Sequence, residues 1–391
     1  TAIQTLPDGP RTLPLVQLMQ TIVRPLATLE ENFAQYGDLY TARLSGMGSL
    51  VVVSSPKAVE KIMTAPSDLM DSGRGNRLLA PFVGDTSLIL LDGKPHQRLR
   101  KLLTPPFHGD RLRAYGDQIC AITKQVIDQW QPGQEFSARS VTQDISLRVI
   151  MRTVFGVQEP EKTERLHHLL NQLLILFDQP LNSSFVFIPA LQKDWGAWSP
   201  WGDLLRRRQQ IDALLYEEIK SRRTQAQESD DDILSLILAA RDEAGEPMSD
   251  LEVRDELMTL LFAGHETTAT ALAWALYWLH WHPQMGEKVR QELAELGDNP
   301  DPVAITRLPY LNAVCQETLR IYPVGLFTFG RILKAPWTLM GYDLAAGTQL
   351  SICIYLLHHR ADLYPNSHQF DPNRFLARQF SPYEFLPFGG G

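Results

Sequence analysis

The sequence predicts a single, mainly helical domain, and three observations support that fold class. One long apolar segment, 250–282, has the features of a helix from end to end. Most other apolar residues recur at helical spacing, whereas segments with strand-like alternation are few. The 391 residues are 44% hydrophobic and contain no repeat or linker that would divide them. We therefore expect one domain over residues 1–391, with small β-sheets beside the helices.

The predicted elements follow in order along the chain. Apolar periodicity predicts helices near 25–36, 56–65, 95–103, 110–130, 138–155, 161–177, 203–226, 232–242, 250–282, 284–296 and 310–321. Alternating patterns predict strands at 39–44, 50–54, 336–340 and 349–355. The first two strands flank a Gly-Met-Gly turn at 46–48, as expected for a hairpin.

The longest predicted helix, 250–282, has a polar cluster at its centre. Ser249 and Glu252 have the spacing of a capping box at its start, and Pro283 ends it. About 33 residues at 1.5 Å each would span roughly 50 Å, the width of a large domain. The apolar middle contains Ala-Gly-His-Glu-Thr-Thr at 263–268. Because a glycine inside a helix suits a bend or a close approach to the backbone, we expect this cluster to line a cavity.

Two other interpretations of this segment stay open. A membrane span would need about 20 mostly apolar residues, but an acid such as Glu266 at its centre costs about 2.5 kcal/mol or more. A buried structural helix is the second alternative. In that case the threonine hydroxyls would bond to the preceding turn, and Glu266 would have a structural partner.

Charge and cysteine content narrow the class of function. The formal net charge of −8 argues against a nucleic-acid binder, which would need a basic face. Cys120, Cys315 and Cys353 lie far apart, and we expect each to be a small buried hydrophobic side chain in a reduced, cytoplasmic setting. The N-terminal region is proline-rich and carries no anchor, so we expect a soluble monomer.

Further motifs follow the central helix in a definite order. Glu317 and Arg320 share one face of a short helix, which by itself would indicate only an exposed ion pair. A Pro-Asn-Arg-Phe turn at 372–375 and a Phe-Leu-Pro-Phe-Gly-Gly-Gly segment at 385–391 come later. Taken in this order with the cluster at 263–268, the motifs resemble the cytochrome P-450 family of haem-thiolate monooxygenases.

The resemblance implies a cytochrome P-450 fold, with the long central helix over a haem b cofactor, and roles for the matching residues. It implies that Thr267 donates a hydrogen bond to dioxygen and that Glu266 passes protons inward through water. Residues expected to contact the haem are His96, Arg100, Ala263, Gly264, Thr267, Arg331, Phe388 and Gly389. Glu317, Arg320 and Arg374 match the family's buried triad, which we assign to folding and to the integrity of the haem pocket.

The family's haem loop reads Phe-x-x-Gly-x-Arg-x-Cys, and Gly391 occupies the glycine of that pattern. The axial cysteine would therefore fall four positions beyond Gly391. None of the three cysteines present follows a glycine-rich loop, so we expect the sequence to be truncated before its iron ligand.

The implied reaction is insertion of one oxygen atom from O2 into a C–H bond. Three segments expected over the central helix, 88–91, 177–187 and 324–329, are almost entirely apolar. They favour a hydrophobic substrate such as a fatty acid, an alkane, a terpenoid or a steroid. Expected pocket residues are Leu88, Leu90, Phe177, Phe262, Ala263, Val324, Leu326 and Phe327. A separate group, Trp195, Trp198 and Trp201, we expect to serve packing.

Electrons would come from a ferredoxin and a ferredoxin reductase, or a similar pair. We expect an acidic ferredoxin to meet a basic patch formed by Arg98, Lys101, Arg111 and Arg113. Two alternatives stay open. A peroxide-using or isomerase variant of the family is disfavoured because the Glu266-Thr267 pair is intact. A non-catalytic binder of haem or of hydrophobic ligands would apply if the truncation were natural.

Overall fold

The computed structural model describes residues 6–107, 110–156, 160–178, 192–196, 199–224 and 232–389, and these are mainly helical. The first helices are α1 Pro14–Val23, α2 Pro25–Tyr36, α3 Pro56–Met63, α4 Ala80–Val83, α5 Gly93–Leu103, α6 Asp110–Ile127, α7 Ala138–Phe155, α8 Pro160–Asp178 and α9 Pro200–Thr224. They continue with α10 Ile233–Ala239, α11 Asp250–Gly264, α12 Glu266–Trp281, α13 Pro283–Ala294, α14 Pro302–Ile305, α15 Pro309–Ile321, α16 Ile354–His358 and α17 Asn373–Ala377. Short 3₁₀ turns lie at Arg74–Leu79, Leu88–Leu90 and Pro105–Phe107.

Two small sheets accompany the helices. The strands are β1 Leu39–Leu44, β2 Gly48–Val53, β3 Met70–Asp71, β4 Arg331–Leu333, β5 Trp337–Leu339, β6 Tyr342–Leu344 and β7 Gln349–Ile352. The larger sheet has the order β1-β2-β7-β4-β3, in which β2 and β7 are parallel and the other neighbours antiparallel. The remaining two strands, β5 and β6, form a separate antiparallel hairpin. Residues distant in sequence thus meet in one sheet, which brings β4 beside the N-terminal part of the chain.

The expected long central helix is two helices, not one. The capping box at its start is confirmed, because Ser249 Oγ accepts from the Glu252 amide while the Glu252 carboxylate accepts from the Ser249 amide. The helix breaks at His265, whose φ of −81° and ψ of −70° separate α11 from α12. Both interact with α7. The break lies inside the polar cluster, at the place where the glycine predicted a bend.

Most other predicted elements are present, with some exceptions. Residues 25–36 and 138–155 form helices with the predicted bounds. Helices α1 and α4 are not among the predicted elements. The segment 349–355 was predicted to be a strand throughout, but β7 ends at Ile352 and α16 begins at Ile354. Hydrophobic alternation does not separate a short buried strand from a short buried helix, which explains this error.

The largest apolar cluster lies between α11 and the helices around it. It includes the fully buried Leu147 of α7, Leu204 and Ile211 of α9, and Val253 and Leu257 of α11. Burial of a side chain of this size contributes about 1.5–3 kcal/mol. Among the helices described here, none combines the length and apolarity that a membrane-spanning helix needs. Packing of α11 against α7 and α9 fixes the position of its side chains.

Candidate active site

The break between α11 and α12 leaves one side of the central helices open. Ala263 and Thr267, one turn apart, are both exposed although they lie midway along the longest helical stretch. Thr267 Oγ1 donates to the Ala263 carbonyl oxygen at 2.5 Å, and Ser146 Oγ donates to the His265 carbonyl oxygen at 3.0 Å. These hydroxyls satisfy carbonyl groups at the break. We call the exposed surface of Ala263 and Thr267 the opening.

Glu266 is adjacent to Thr267 in sequence but faces another way. Its carboxylate accepts from Arg139 Nη2 at 2.7 Å and from Gln143 Nε2 at 2.8 and 3.0 Å, both on α7. The Glu266 side chain is 25% exposed and that of Arg139 is 50% exposed, so this ion pair reaches solvent. The acid is therefore held on α7 at the boundary with solvent. Neither α7 partner has a sequence signal that links it to Glu266.

Gly264 allows close helix packing, and its expected place beside the oxygen stays a prediction. A Cβ built on Gly264 would lie 3.0 Å from Ile150 Cδ1 of α7. That distance is tighter than ordinary contact, so the missing side chain lets α7 approach α11. Of the two residues expected beside the oxygen, only Ala263 lies on the exposed side.

Three cationic or polar side chains expected to hold haem propionates lie on β4 and α5. Arg331 Nη1 donates to Met63 Sδ at 3.0 Å, and among the described residues no carboxylate pairs with its guanidinium. Burial accordingly lowers the pKa of Arg331. His96 is partly buried, and burial and the Arg100 charge lower its pKa. Arg100 is exposed on the same helix and forms no ion pair with a described residue.

The elements that carry these residues are neighbours. The 3₁₀ turn Leu88–Leu90 contacts α11, α5 and the turn Arg74–Leu79, and this last turn contacts β4. Just before β4, Thr328 approaches the turn at Gly389, whose hypothetical Cβ would lie 3.9 Å from Thr328 Cγ2. Gly389 has φ of +79°, which favours glycine. Beside it, Phe388 is 86% exposed, a large apolar surface to leave in water.

These observations fit a flat, apolar group that carries carboxylates, as haem does. An unpaired, partly buried guanidinium at Arg331 requires an anion, since an isolated buried charge is costly. The exposed Ala263 and Phe388 offer apolar contact, and His96 and Arg100 offer further donors. The residues present therefore fit the cofactor that the motifs imply.

The Glu-x-x-Arg motif is a buried network and not the exposed pair that it would indicate alone. Glu317 and Arg320 are fully buried, with Arg320 Nε to Glu317 Oε2 at 2.6 Å and Nη2 to Oε1 at 2.8 Å. Arg374 Nε reaches Glu317 Oε1 at 3.0 Å. The Asp371 amide also donates to Oε1, at 2.9 Å. Each charge is thus paired and hydrogen-bonded, which is the condition for tolerable burial.

The triad is tied to the turn at Gly389 through His358, which is part of a His-His-Arg segment at 358–360. Arg320 Nη1 donates to the His358 carbonyl oxygen at 2.8 Å, and His358 Nε2 accepts from the Leu386 amide at 2.8 Å. Burial lowers the pKa of His358 to about 3, which keeps the ring neutral and able to accept. The network behind the site therefore supports the backbone directly before Phe388.

The expected pocket residues do not form one group. Leu88, Leu90 and Phe262 belong to the large cluster around α11, where Phe262 stacks on Phe82 with ring centroids 6.0 Å apart. Leu326 and Phe327 pack instead against a different cluster around Tyr40 and Tyr355. Val324 is partly buried, and the side chain of Phe177 lies outside the described residues. Apolarity predicts burial but not the cluster in which a residue is buried.

Two further expectations need correction. Only Cys353 is buried, and burial raises its pKa to about 12, whereas Cys120 and Cys315 are exposed. The basic patch is largely neutralised. Arg98 pairs with Asp242 at 2.6 Å and Glu252 at 2.8 Å, and Lys101 pairs with Glu243 at 2.7 Å.

Of the other two members of the predicted patch, only Arg113 has a described side chain, and it too has an acidic neighbour. Arg113 lies 3.4 Å from Asp301, and the side chain of Arg111 is outside the described residues. Acidic residues from distant segments thus form ion pairs with Arg98, Lys101 and Arg113. In the tryptophan group, Trp201 packs against the main cluster, Trp195 is exposed, and Trp198 is outside the described residues.

Comparison with known proteins accounts for this arrangement. The sequence model of the cytochrome P450 family matches residues 7–391. Cytochrome P450 135B1 of Mycobacterium tuberculosis is 36% identical over 392 residues, a match that covers 100% of this chain and 81% of that protein. Cytochrome P450 137 of the same species is 35% identical, with 91% of this chain and 72% of that protein covered.

A solved structure agrees with the sequence relatives. The cyanobacterial CYP120A1, solved with retinoic acid bound, superposes with a TM-score of 0.84 at 26% identity, covering 100% of this chain and 87% of that chain. Relatives and fold thus agree with the motif order and with a site that fits haem. The chain belongs to the cytochrome P450 family, whose members are haem-dependent monooxygenases.

Proposed function

We propose that this protein oxidises a C–H bond of a long, apolar substrate, such as a fatty acid, an alkane, a terpenoid or a steroid, with O2 and with electrons from a separate redox protein. The observation that carries the proposal is the exposed pair Ala263 and Thr267 at the break between α11 and α12. A bound haem supplies the activation of oxygen and its transfer to carbon. The residues of this chain supply binding, orientation and protons.

Thr267 holds a hydroxyl at the opening. A hydroxyl has one proton and two acceptor lone pairs, and here the proton goes to the Ala263 carbonyl oxygen. The lone pairs stay free to accept from a water, and rotation about the Cα–Cβ bond would turn the proton into the opening. We assign Thr267 the task of presenting protons there.

Glu266 holds a proton-exchanging carboxylate between α7 and solvent. Its contacts with Arg139 and Gln143 direct it away from Thr267, so direct transfer between the two side chains is excluded in this conformation. A water, or a change of the Glu266 rotamer that breaks the Arg139 pair, would connect them. We propose that Glu266 collects protons at the surface.

The propionates of the haem would be held by Arg331, His96 and Arg100. Arg331 is the strongest of these candidates, because it is partly buried without an anionic partner among the described residues. Phe388 and Gly389 would contact the macrocycle beside Thr328.

For the substrate, Leu88, Leu90, Phe262 and Ala263 support an apolar wall on one side of α11. Retinoic acid, bound by CYP120A1, is itself a long apolar carboxylic acid, which supports substrates of that class here. A ferredoxin with its reductase remains the proposed electron source. Arg98 and Lys101 offer such a partner little unpaired positive charge, because each already pairs with an acidic residue.

The direct test replaces the hydroxyl. In a haem-loaded protein reduced by a ferredoxin system and supplied with a panel of C12–C18 fatty acids, Thr267→Ala should continue to consume electrons while product falls and peroxide rises. General acid–base groups contribute about 10²–10⁴-fold, so product per electron should fall at least about tenfold.

Two variants serve as controls. Thr267→Ser keeps the hydroxyl and should retain coupling, and Thr268→Ala removes a neighbouring exposed hydroxyl and should leave coupling intact. Equal coupling in wild type and Thr267→Ala would refute the role of Thr267. Product formed with hydrogen peroxide but not with O2 and electrons would favour the peroxide-using alternative.

A further inference from the structure

The N-terminal half of the central helix carries buried charges that the proposed chemistry does not use. Arg254, Asp255 and Glu256 of α11 are 3%, 1% and 2% exposed. Burial of three successive ionisable side chains is costly unless each is paired or hydrogen-bonded. Arg254 pairs with Asp255 and with Asp212 of α9. The other contacts of Asp255 and Glu256 go to a single loop.

That loop is 86–88, and each of its three residues is bound by α11. Asp255 Oδ2 accepts from the Thr86 amide at 2.9 Å and from Thr86 Oγ1 at 2.7 Å. The hydroxyls of Ser87 and Thr259 lie 2.6 Å apart. Glu256 Oε1 accepts from the Leu88 amide at 2.5 Å. We call Asp255, Glu256 and Thr259, with the three loop residues that they bind, the α11 latch.

Gly84 shows how closely the loop passes over the latch. Its φ is +94°, and a Cβ built on it would lie 2.0 Å from Asp255 Oδ1. Both the backbone conformation and the missing side chain therefore require glycine here. The chain enters the latch directly above the Asp255 carboxylate.

The latch lies on α11 before the opening. Asp255, Thr259 and Ala263 follow one another in steps of four residues, of which Asp255 and Thr259 are buried and Ala263 is exposed, before the helix breaks at His265. One such step advances about 6 Å along a helix axis. The Ser87 hydroxyl is thus bound one turn before Ala263. The next residues of the chain, Leu88 to Leu90, form the 3₁₀ turn that packs in the same cluster as Phe262.

We propose that the α11 latch is a positioning device for the substrate. By holding the backbone of 86–88 on α11, it fixes Leu88 and Leu90 as a rigid apolar wall beside Ala263. The wall limits which part of an apolar molecule reaches the opening. Asp255, Glu256 and Thr259 act through the loop and are positioning residues. The inference deepens the proposed function, since it concerns how that site selects its substrate.

The main test is Thr259→Val, which removes the hydroxyl that binds Ser87 while preserving side-chain shape. The first readout is hydrogen–deuterium exchange of the segment 84–91 in the ligand-free, haem-loaded protein. Loss of one hydrogen bond raises the equilibrium constant for local opening about 2- to 12-fold. Exchange in this segment should therefore accelerate about three- to tenfold. Ser87→Ala, a milder variant from the other side, should have a similar effect, and Thr259→Ser should restore slow exchange.

The second readout measures selectivity without knowledge of the substrate. Imidazole and 4-phenylimidazole both bind haem iron, but only the second extends an apolar ring into the pocket. The ratio of their dissociation constants should shrink about three- to tenfold in Thr259→Val and Ser87→Ala. This ratio should be unchanged in the control Thr64→Val. The hydroxyl that this control removes donates to the Glu60 carbonyl oxygen, at the end of its own helix. With a substrate that is turned over, KM and product distribution should change more than kcat.

Unchanged exchange in 84–91 would show that the latch does not hold the loop. Faster exchange with an unchanged azole ratio would show that the latch serves stability alone. Either result overturns the proposal. Failure of every fatty acid, alkane, terpenoid and steroid tested to bind, with both readouts as expected, would refute the proposed substrate class and leave the latch supported.

Discussion

At this site, the hydrogen-bond or ion-pair partner of each side chain determines what that side chain can do. Glu266 and Thr267 are neighbours in sequence, yet the first pairs with Arg139 across 127 positions and the second bonds to Ala263 one turn away. Arg331 is the reverse case, because its guanidinium contacts a sulfur atom and no described carboxylate. The Arg331 charge is therefore available to an anionic ligand, whereas the Glu266 charge already has a partner.

The Arg331 assignment predicts weakened haem binding. Charge-assisted hydrogen bonds contribute about 1.5–3 kcal/mol each, so Arg331→Ala should raise the rate of haem loss by about tenfold or more. Haem content per chain and the rate of transfer to an apo-globin acceptor measure this without reference to activity. Lys220→Ala, which removes an exposed charge on α9, is the control. A wild-type rate of haem loss in Arg331→Ala would remove this residue from the site.

Glu256 predicts a specific dependence of stability on pH. Burial, together with nearby Asp255 and Glu252, raises its pKa to about 8, although the Leu88 amide opposes the shift. Because the pKa is raised in the folded state, the stabilising contribution is complete at low pH and is lost as pH rises through about 8. Between pH 5 and 8 the free energy of unfolding should decline with a slope approaching about 1.4 kcal/mol per pH unit from this group.

Glu256→Gln tests that slope, since it keeps the acceptor for Leu88 but cannot ionise. Denaturant unfolding of both proteins at several pH values gives the difference curve, in which groups common to both cancel. The variant should gain stability relative to wild type as pH rises from 5 to 8. Parallel curves would show that Glu256 does not titrate in this range.

At the scale of elements, the contact between α7 and the central helices decides the shape of the site. Gly264 lets Ile150 approach, Ser146 bonds to the broken turn, and Thr142 Oγ1 donates to the Ala269 carbonyl oxygen at 2.9 Å. Together with Arg139 and Gln143, these contacts follow α7 along both sides of the break. Helix α7 therefore acts as a support that holds α11 and α12 at their bend.

This packing predicts the effect of Gly264→Ala. A helix gains about 0.5–1 kcal/mol from alanine in place of glycine, but overpacking a dense contact costs about 1–3 kcal/mol. Since the new Cβ would lie 3.0 Å from Ile150 Cδ1, we expect net destabilisation. Ile150→Val removes that methyl group, so the double variant should be more stable than the sum of the single effects predicts. A strictly additive cycle would show that the two residues do not collide.

At the scale of the whole molecule, the Glu317 network joins α15 to three later parts of the chain. It connects α15 to the His358 carbonyl, to the turn before α17 and, through the His358 ring, to the backbone at Leu386. The Arg320 guanidinium also lies 5.2 Å from the centre of the Tyr364 ring. A network that spans these segments links the stability of the fold to the turn at Gly389.

The chain contains a matched pair of motifs that tests this. Glu317 and Arg320 are fully buried, whereas Glu287 and Arg290 have the same spacing but are 53% and 68% exposed. Glu317→Gln should cost about 3–5 kcal/mol of unfolding free energy and reduce haem content, because it leaves buried guanidinium groups without a full counter-charge. Glu287→Gln should cost less than about 1 kcal/mol. Similar losses in both variants would show that burial of the network adds nothing.

The sequence alone determined the helical class, the bounds of helices such as α2 and α7, the capping box of α11 and the family, because these depend on local periodicity and on motif order. The tertiary structure decided what depends on distant neighbours. It divided the central helix at His265, paired Arg98 with Asp242, and separated Leu326 from Leu88. The α11 latch joins residues about 170 positions apart, between which sequence spacing carries no signal. Local sequence patterns predict secondary structure and burial, whereas tertiary packing determines which distant residue each side chain contacts.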